Sequence, residues 1–207
     1  MGSGMAKNLI QNGFETFGYD LLPERLKDLQ GIGGKPARDI ADIAAKVDAM
    51  FIMVMNGNQV KSILFGENGL IKLMPPGSAV ILTATIRPKE AQEIGVLMEG
   101  SGIHFIDTPV SGGYSGAQDG TLTMMVSAPA DILDQFKPVL REVSRTIHQV
   151  GTTAGMGQTV KACLQTLIGS IFSATFEASV LAAKVVVDGL GLYNVFSTSG
   201  DGWGCTN

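Results

Sequence analysis

Cysteine and histidine are scarce, with two of each in 207 residues. Cys163 and Cys205 have neither metal-ligand spacing nor a framework pattern. That excludes a zinc module and a disulfide-stapled secreted domain, and fits free thiols in a reducing cytoplasm. His104 and His148 stand in strand-like runs without a catalytic partner in the sequence and read as structural. Charge is sparse too. Charged residues make up 16% and apolar residues 45%, which excludes a disordered chain. The balance is acidic, net −4 with a pI near 5.1, which excludes an electrostatic nucleic-acid binder. No apolar stretch reaches the ~18 residues of a membrane span, and no basic leader with a cleavage site marks a signal peptide. The expectation is one or two domains with ample core, no metal site, and neither nucleic acid nor membrane as partner.

What is present is glycine in informative places. Residues 1–10 carry apolar side chains at Met1, Met5, Ala6, Leu9 and Ile10, the spacing of a helix. Asn12-Gly13 closes it as a C-cap pair. Residues 14–19 read as a short strand with Asp20 at its end. Helix, glycine turn, strand, acid is the second half of a dinucleotide-binding βαβ unit. Asp20 follows Gly2 at close to the spacing at which a carboxylate accepts from the adenosine ribose hydroxyls. A carboxylate there repels a 2′-phosphate and so favours NAD over NADP. The competing reading is an ordinary strand-end turn.

Further on, residues 23–29 read as a helix, and Asp39 as the N-cap of another. Residues 49–55 form an unbroken apolar run, the pattern of a central parallel strand buried on both faces. Asn56 follows its C-terminal end, where ligands bind in doubly wound sheets. Residues 59–64 read as a helix and 77–82 as a turn and strand. Thr85 then precedes a helix beginning near Pro88, and an N-cap role is open to it.

Residues 103–126 hold the densest signal. An apolar run leads into Asp107-Thr108-Pro109-Val110-Ser111-Gly112-Gly113, and a second apolar run covers 122–126. The reading is strand, bare loop, strand. Adjacent glycines let backbone approach a ligand closely. Successive N–H groups form an anion-binding concavity, and the Ser111 hydroxyl can donate to the same anion. A plain glycine-rich hairpin is the alternative. Residues 131–140 read as a helix and 146–150 as a strand. The loop Gly151-Thr152-Thr153-Ala154-Gly155-Met156-Gly157 then opens a long apolar helix running to about residue 187, roughly 40 Å in length.

Asp-Thr-Pro-Val-Ser-Gly-Gly, with Gly116-Ala117 and Gly120-Thr121-Leu122-Thr123-Met124-Met125 downstream, resembles the substrate loop of the β-hydroxyacid dehydrogenase family. Gly155, Gly157, Lys161 and Gln165 resemble that family's catalytic signature, with glutamine for the usual asparagine. Met1-Gly2-Ser3-Gly4-Met5-Ala6 resembles the end of its glycine fingerprint. Gly2 would then be the third fingerprint glycine, where helix and strand pack closely, and the first strand and first glycines would be missing. The family's Asp-x-Ser-Thr segment survives here as Thr85 alone, with Leu82 and Ala84 in place of the acid and the serine.

The resemblance implies an α/β fold, a Rossmann-type dinucleotide-binding domain over 1–151, followed by the start of an all-helical domain over 152–207 with one long helix. It implies an oxidoreductase moving a hydride between NAD and a small hydroxy acid such as 3-hydroxyisobutyrate, glycerate/tartronate semialdehyde or a four-carbon sugar acid of the L-threonate type. Ser111, Gly112 and Gly113 would hold the substrate carboxylate, and Gln165 would reach substrate. Lys161 would move the proton from the first helical turn, where the helix dipole lowers its proton affinity. Gly2, Asp20, Asn56 and Thr85 would serve NAD, with NADP less favoured. Cys163 would pack as a small apolar residue. The apolar length of the long helix implies a homodimer or homotetramer in the cytoplasm. Decarboxylating 6-phosphogluconate dehydrogenases and imine reductases share parts of this pattern. The chain has no arginine cluster for a sugar phosphate, and Lys161 argues against an imine reductase. A truncated or degenerate homologue acting as a non-catalytic binding or assembly module is the alternative from outside the enzymes.

Overall fold

A computed structural model describes residues 1–199, so Gly200 and Cys205 lie outside the described residues. The chain divides into two units, Met1–Lys161 and residues 162 onward.

The first unit is built on a six-stranded sheet. Strands β3 (Ala49–Ile52), β4 (Ala79–Leu82) and β5 (His104–Asp107) run parallel. Strand β7 (Leu122–Ser127) joins β5 antiparallel at Asp107 and Ser127. It also pairs antiparallel with β6 (Val110–Ser111) and parallel with β8 (Ser144–Gly151). Strands β1 (Phe17–Gly18) and β2 (Lys35–Pro36) form a separate parallel pair. The first strand is thus shorter than the apolar run over 14–19, and β2 is an element the sequence did not announce.

Strand β4 shows why this is a layered α/β fold. All four of its residues are fully buried, and alternation sends them to opposite faces. Ala79 and Ile81 join a core with Met5 and Leu9 of α1 (Gly2–Gln11), Ala117 of α6 (Gly113–Asp119) and Leu133, Phe136 and Leu140 of α7 (Ala130–Arg141). Val80 and Leu82 join a second core with Val60 and Leu64 of α4 (Gly57–Phe65) and Ala91, Ile94 and Met98 of α5 (Pro88–Met98). The smaller helices α2 (Pro23–Gly31) and α3 (Ala41–Ala44) complete the unit. Asp39 accepts from the backbone N–H of Asp42 at 2.8 Å, the capping contact its position suggested, although α3 starts at Ala41.

Three expectations change here. Strand β3 is an edge strand whose only ladder partner among the described residues is β4, so just Ile52 of its four residues is buried. The unbroken apolar run suggested an interior strand, and β4, paired on both sides and fully buried, is one instead. The stretch after Ser111 is not a bare loop, because the seven-residue helix α6 intervenes before β7. The close helix approach expected at Gly2 falls at Gly4. A Cβ on Gly2 would meet only Met53 Cβ at 3.8 Å, an ordinary contact, whereas one on Gly4 would sit 2.7 Å from the backbone of Ala117.

The second unit consists of most of α8 (Met156–Lys184), within which the division falls, and α9 (Gly189–Thr198). Cys163 is exposed rather than packed. Leu167, Phe172, Phe176, Val180 and Leu181 are at least half exposed, and α9 buries no residue. Helix α8 is long and apolar enough, by length and composition, to cross a membrane, with an 18-residue window of mean hydropathy 1.4. The sequence reading missed this because Gln165, Thr166, Ser170, Ser173 and Thr175 interrupt the apolar run without lowering its average far.

Candidate functional site

Helix α8 begins against the carboxyl end of β5, and glycine makes the approach possible. A Cβ on Gly157 would stand 2.5 Å from the Met125 carbonyl oxygen, 2.9 Å from that of Asp107 and 3.0 Å from Pro109 Cδ. The substrate-loop stretch and the lysine helix are therefore in contact at Pro109 and Gly157. Asp107 is fully buried. Its Oδ2 accepts from the Gly155 N–H at 2.8 Å and its Oδ1 from Gln158 Nε2 at 2.9 Å. Gln158 is also buried. Its Nε2 donates to the Ala84 carbonyl at 3.1 Å, and its Oε1 accepts from the Ile86 N–H at 3.0 Å. Ser127 Oγ donates to the Thr153 carbonyl at 2.6 Å, tying the preceding loop to β7.

Burial pushes the Asp107 carboxyl above its ordinary range, while the Gln158 side chain and the N–H groups of Gly155, Gln158 and Gly157 pull it back. A carboxyl whose folded pKa is raised contributes stability that is complete below its unfolded pKa and is lost as pH rises through the folded value. Relative to an Asp107→Asn variant, the wild-type chain should therefore lose stability as pH climbs through the carboxylate range. Urea melts of both proteins across that range check this. A difference that is flat with pH, or one that grows with pH, contradicts it.

Lys161 lies one turn beyond Gly157 and is 8% exposed. Among the described residues its amine has neither a hydrogen-bond nor an ion-pair partner. Desolvation alone lowers its pKa below the ordinary lysine value. The cause differs from the expected one. With α8 starting at Met156, Lys161 is in the second turn, and the dipole effect fades within the first. Burial disfavours the charged ammonium instead.

Ser111, half-buried, ends β6. Gly112 (φ 125°) and Gly113 (φ 64°) are exposed and open α6 in a backbone conformation that suits glycine. Gln165 lies in the second unit and is exposed. Asp20 is exposed, and its Oδ1 accepts from the Leu22 N–H at 3.0 Å, the turn contact that was its alternative reading. Asn56 caps α4, accepting from the Gln59 N–H at 3.0 Å, while Gln59 Oε1 accepts from the Met55 N–H at 2.8 Å. Thr85 is exposed between the two residues that Gln158 grips. It does not cap α5, whose N-cap is Arg87. Leu82 and Ala84 are buried in the core. The sequence reading gave no role to Asp107 or Gln158. Nothing in the sequence joins two residues 51 positions apart, and the only hint was an acid at the end of an apolar run.

An α/β unit that brings a largely buried lysine, unpaired among the described residues, to the end of its sheet has the build of a nicotinamide-linked dehydrogenase. The family model for the NAD binding domain of 6-phosphogluconate dehydrogenase matches residues 1–151. An L-threonate dehydrogenase from Cupriavidus necator is 35% identical over 98% of this chain and 69% of its own. The crystal structure of 3-hydroxyisobutyrate dehydrogenase from Salmonella typhimurium superposes with a TM-score of 0.86 at 35% identity, over 98% of this chain and 70% of that one. A Mycobacterium tuberculosis 3-hydroxyisobutyrate dehydrogenase determined with L-serine superposes with a TM-score of 0.88 at 29% identity, over 98% and 68%. The chain belongs to the β-hydroxyacid dehydrogenase family, oxidoreductases acting on CH–OH donors.

The match to an NAD binding domain over residues 1–151 makes a nicotinamide dinucleotide the cofactor class.

Proposed function

We propose that the chain oxidises a small 3-hydroxy acid with NAD, or reduces the matching semialdehyde. Lys161 carries this reading, because a largely buried lysine whose amine has no partner among the described residues, and whose pKa is lowered by desolvation, is suited to exchanging a proton with a substrate oxygen. In the oxidative direction Lys161 Nζ takes the hydroxyl proton while the carbon's hydrogen leaves as a hydride and the C–O bond becomes a carbonyl. NAD, when bound, accepts that hydride. Ser111, Gly112 and Gly113 hold the substrate carboxylate, and Gln165 offers an amide to its polar end. Gly2 serves NAD as the remaining fingerprint glycine, Asp20 accepts from the ribose hydroxyls, and Asn56 and Thr85 contact the cofactor. Four-carbon sugar acids lead the candidates, since glutamine reaches one carbon further than the usual asparagine and an L-threonate dehydrogenase is among the relatives. The test is a panel of L-threonate, 3-hydroxyisobutyrate, glycerate and L-serine with NAD, read by the absorbance of reduced nicotinamide. L-Threonate should give the highest kcat/KM. A clear preference for another acid overturns the substrate choice, and silence on the whole panel overturns the function.

The preference for NAD rests on Asp20. Calorimetry should show NAD binding more tightly than NADP, and Asp20→Ser should narrow the gap. Equal affinities in the wild type contradict the assignment.

The exposed apolar flank of the second unit supports a dimer or tetramer, because soluble monomers rarely expose apolar patches of that extent. Sedimentation at micromolar concentration should give a species of at least twice the 21.7 kDa chain mass. A clean monomer contradicts it.

A further inference from the structure

We propose that Gln158, held by Asp107, is a positioning residue that sets the depth and rotation of α8 at Lys161. The inference rests on the reading of Lys161 as the proton-transfer group.

The anchor is built from one amide. Both hydrogens of Gln158 Nε2 are committed, one to the Ala84 carbonyl and one to Asp107 Oδ1, and Oε1 accepts from Ile86. The side chain thus grips the segment leaving β4 and the end of β5 together. Asp107 uses its other oxygen on the Gly155 N–H, just ahead of the helix. Gln158 and Lys161 are three residues apart, and Gly157 and Lys161 four apart, so both lie in rows directly beneath the lysine on the helix surface. Gly157 presses α8 onto two carbonyl oxygens, which fixes depth. Gln158 fixes rotation, because any roll of the helix would strain three hydrogen bonds within one turn of the lysine.

The coupling runs through geometry rather than charge. Asp107 is the only carboxylate in this network, and it exerts no resolved pull on the Lys161 amine, which responds to burial alone. The anchor therefore acts by holding the lysine side chain in its largely desolvated position. The residues nearest to glutamine in size or chemistry do not fill the place. Glutamate has no donor for Ala84 or Asp107, leucine leaves all three partners unpaired, and asparagine falls short by one carbon.

The experiment is a site-resolved NMR titration of the full chain with isotope-labelled lysine, the Lys161 signal assigned by its loss in Lys161→Arg. Neither substrate nor cofactor is added, so a chain that turns over no hydroxy acid would sink the functional reading and leave this one measurable. In the wild type Lys161 should titrate below the ordinary lysine value. In the charge-neutral variants Gln158→Asn and Gln158→Leu, and in Asp107→Asn, the midpoint should move up toward that value as the side chain regains water. Loss of the Asp107 charge alone would move it down, so a rise in Asp107→Asn reports geometry. Variants that melt cooperatively yet titrate like the wild type overturn the proposal. If the Gln158 variants do not fold, Asp107→Asn, which leaves the Ala84 and Ile86 bonds of Gln158 in place, decides. A raised midpoint there supports the anchor, and a wild-type or lowered one overturns it.

Discussion

Replacing Lys161 with alanine should lower kcat by about 10²–10⁴-fold, the usual worth of a positioned acid–base group, and leave NAD affinity unchanged. The physical ground is the environment of the amine. A surface lysine is solvated, protonated at neutral pH, and replaceable at little cost. Lys161 is 8% exposed, lacks any partner among the described residues, and has its proton affinity lowered by burial. Truncation also deletes the packed aliphatic stem, so the expected signature is a loss of turnover in a protein that still melts cooperatively. NAD titration by calorimetry and turnover on the best acid measure both halves. A variant that retains wild-type kcat refutes the assignment. One that loses kcat only because it unfolds refutes the claim that the lysine is there for chemistry.

The second large effect is structural. Gly157→Ala should destabilise the chain by about 3 kcal/mol, the upper part of the range for inserting atoms into a close-packed site. At this chain length that corresponds to a drop in melting temperature of roughly 6–12 °C. The new Cβ would stand 2.5 Å and 2.9 Å from two backbone oxygens, and strand backbone cannot step aside as a side-chain tip can. Gly2→Ala is the control. Its Cβ would meet nothing nearer than 3.8 Å, and alanine favours helix by up to about 1 kcal/mol. The control should melt at or slightly above the wild-type temperature. Equal melting temperatures for the two variants would mean that α8 does not rest on β5 and β7 as described.

Periodicity and glycine placement made much of the first unit legible. The apolar spacing over 1–10, Asn12-Gly13, Pro23 and Pro88 mark helices α1, α2 and α5 where they occur. Strand β4 was plain from its apolar residues, and the long helix from its freedom from proline. What failed were features fixed by neighbours rather than by local pattern. The apolar run at 49–55 has the composition of a buried strand, yet pairing decides burial, and among the described residues only one side of β3 is paired. Gly2 and Gly4 are equivalent as residues, and only the position of Ala117 makes Gly4 the tight one. Thr85 was a plausible cap, but the first turn of α5 is closed by Arg87 and Glu90.

The site was legible in a similar way. Lys161 and the Ser111-Gly112-Gly113 stretch stand out as motifs, but the reason for the lysine's lowered pKa does not. The helix dipole was expected to be the cause, and where α8 begins makes it burial. Asp107 and Gln158 were invisible because a hydrogen bond between residues 51 positions apart leaves no mark on the pattern around either one.

The central claim, that Lys161 exchanges the proton in an NAD-linked oxidation of a hydroxy acid, is tested most directly by the pH dependence of kcat/KM. Oxidation requires the neutral amine. The rate should rise with pH through a single ionisation below the ordinary lysine value and then level off. That ionisation should be absent from the residual rate of Lys161→Ala. A pH-independent rate, or an ionisation that survives the loss of Lys161, contradicts the account.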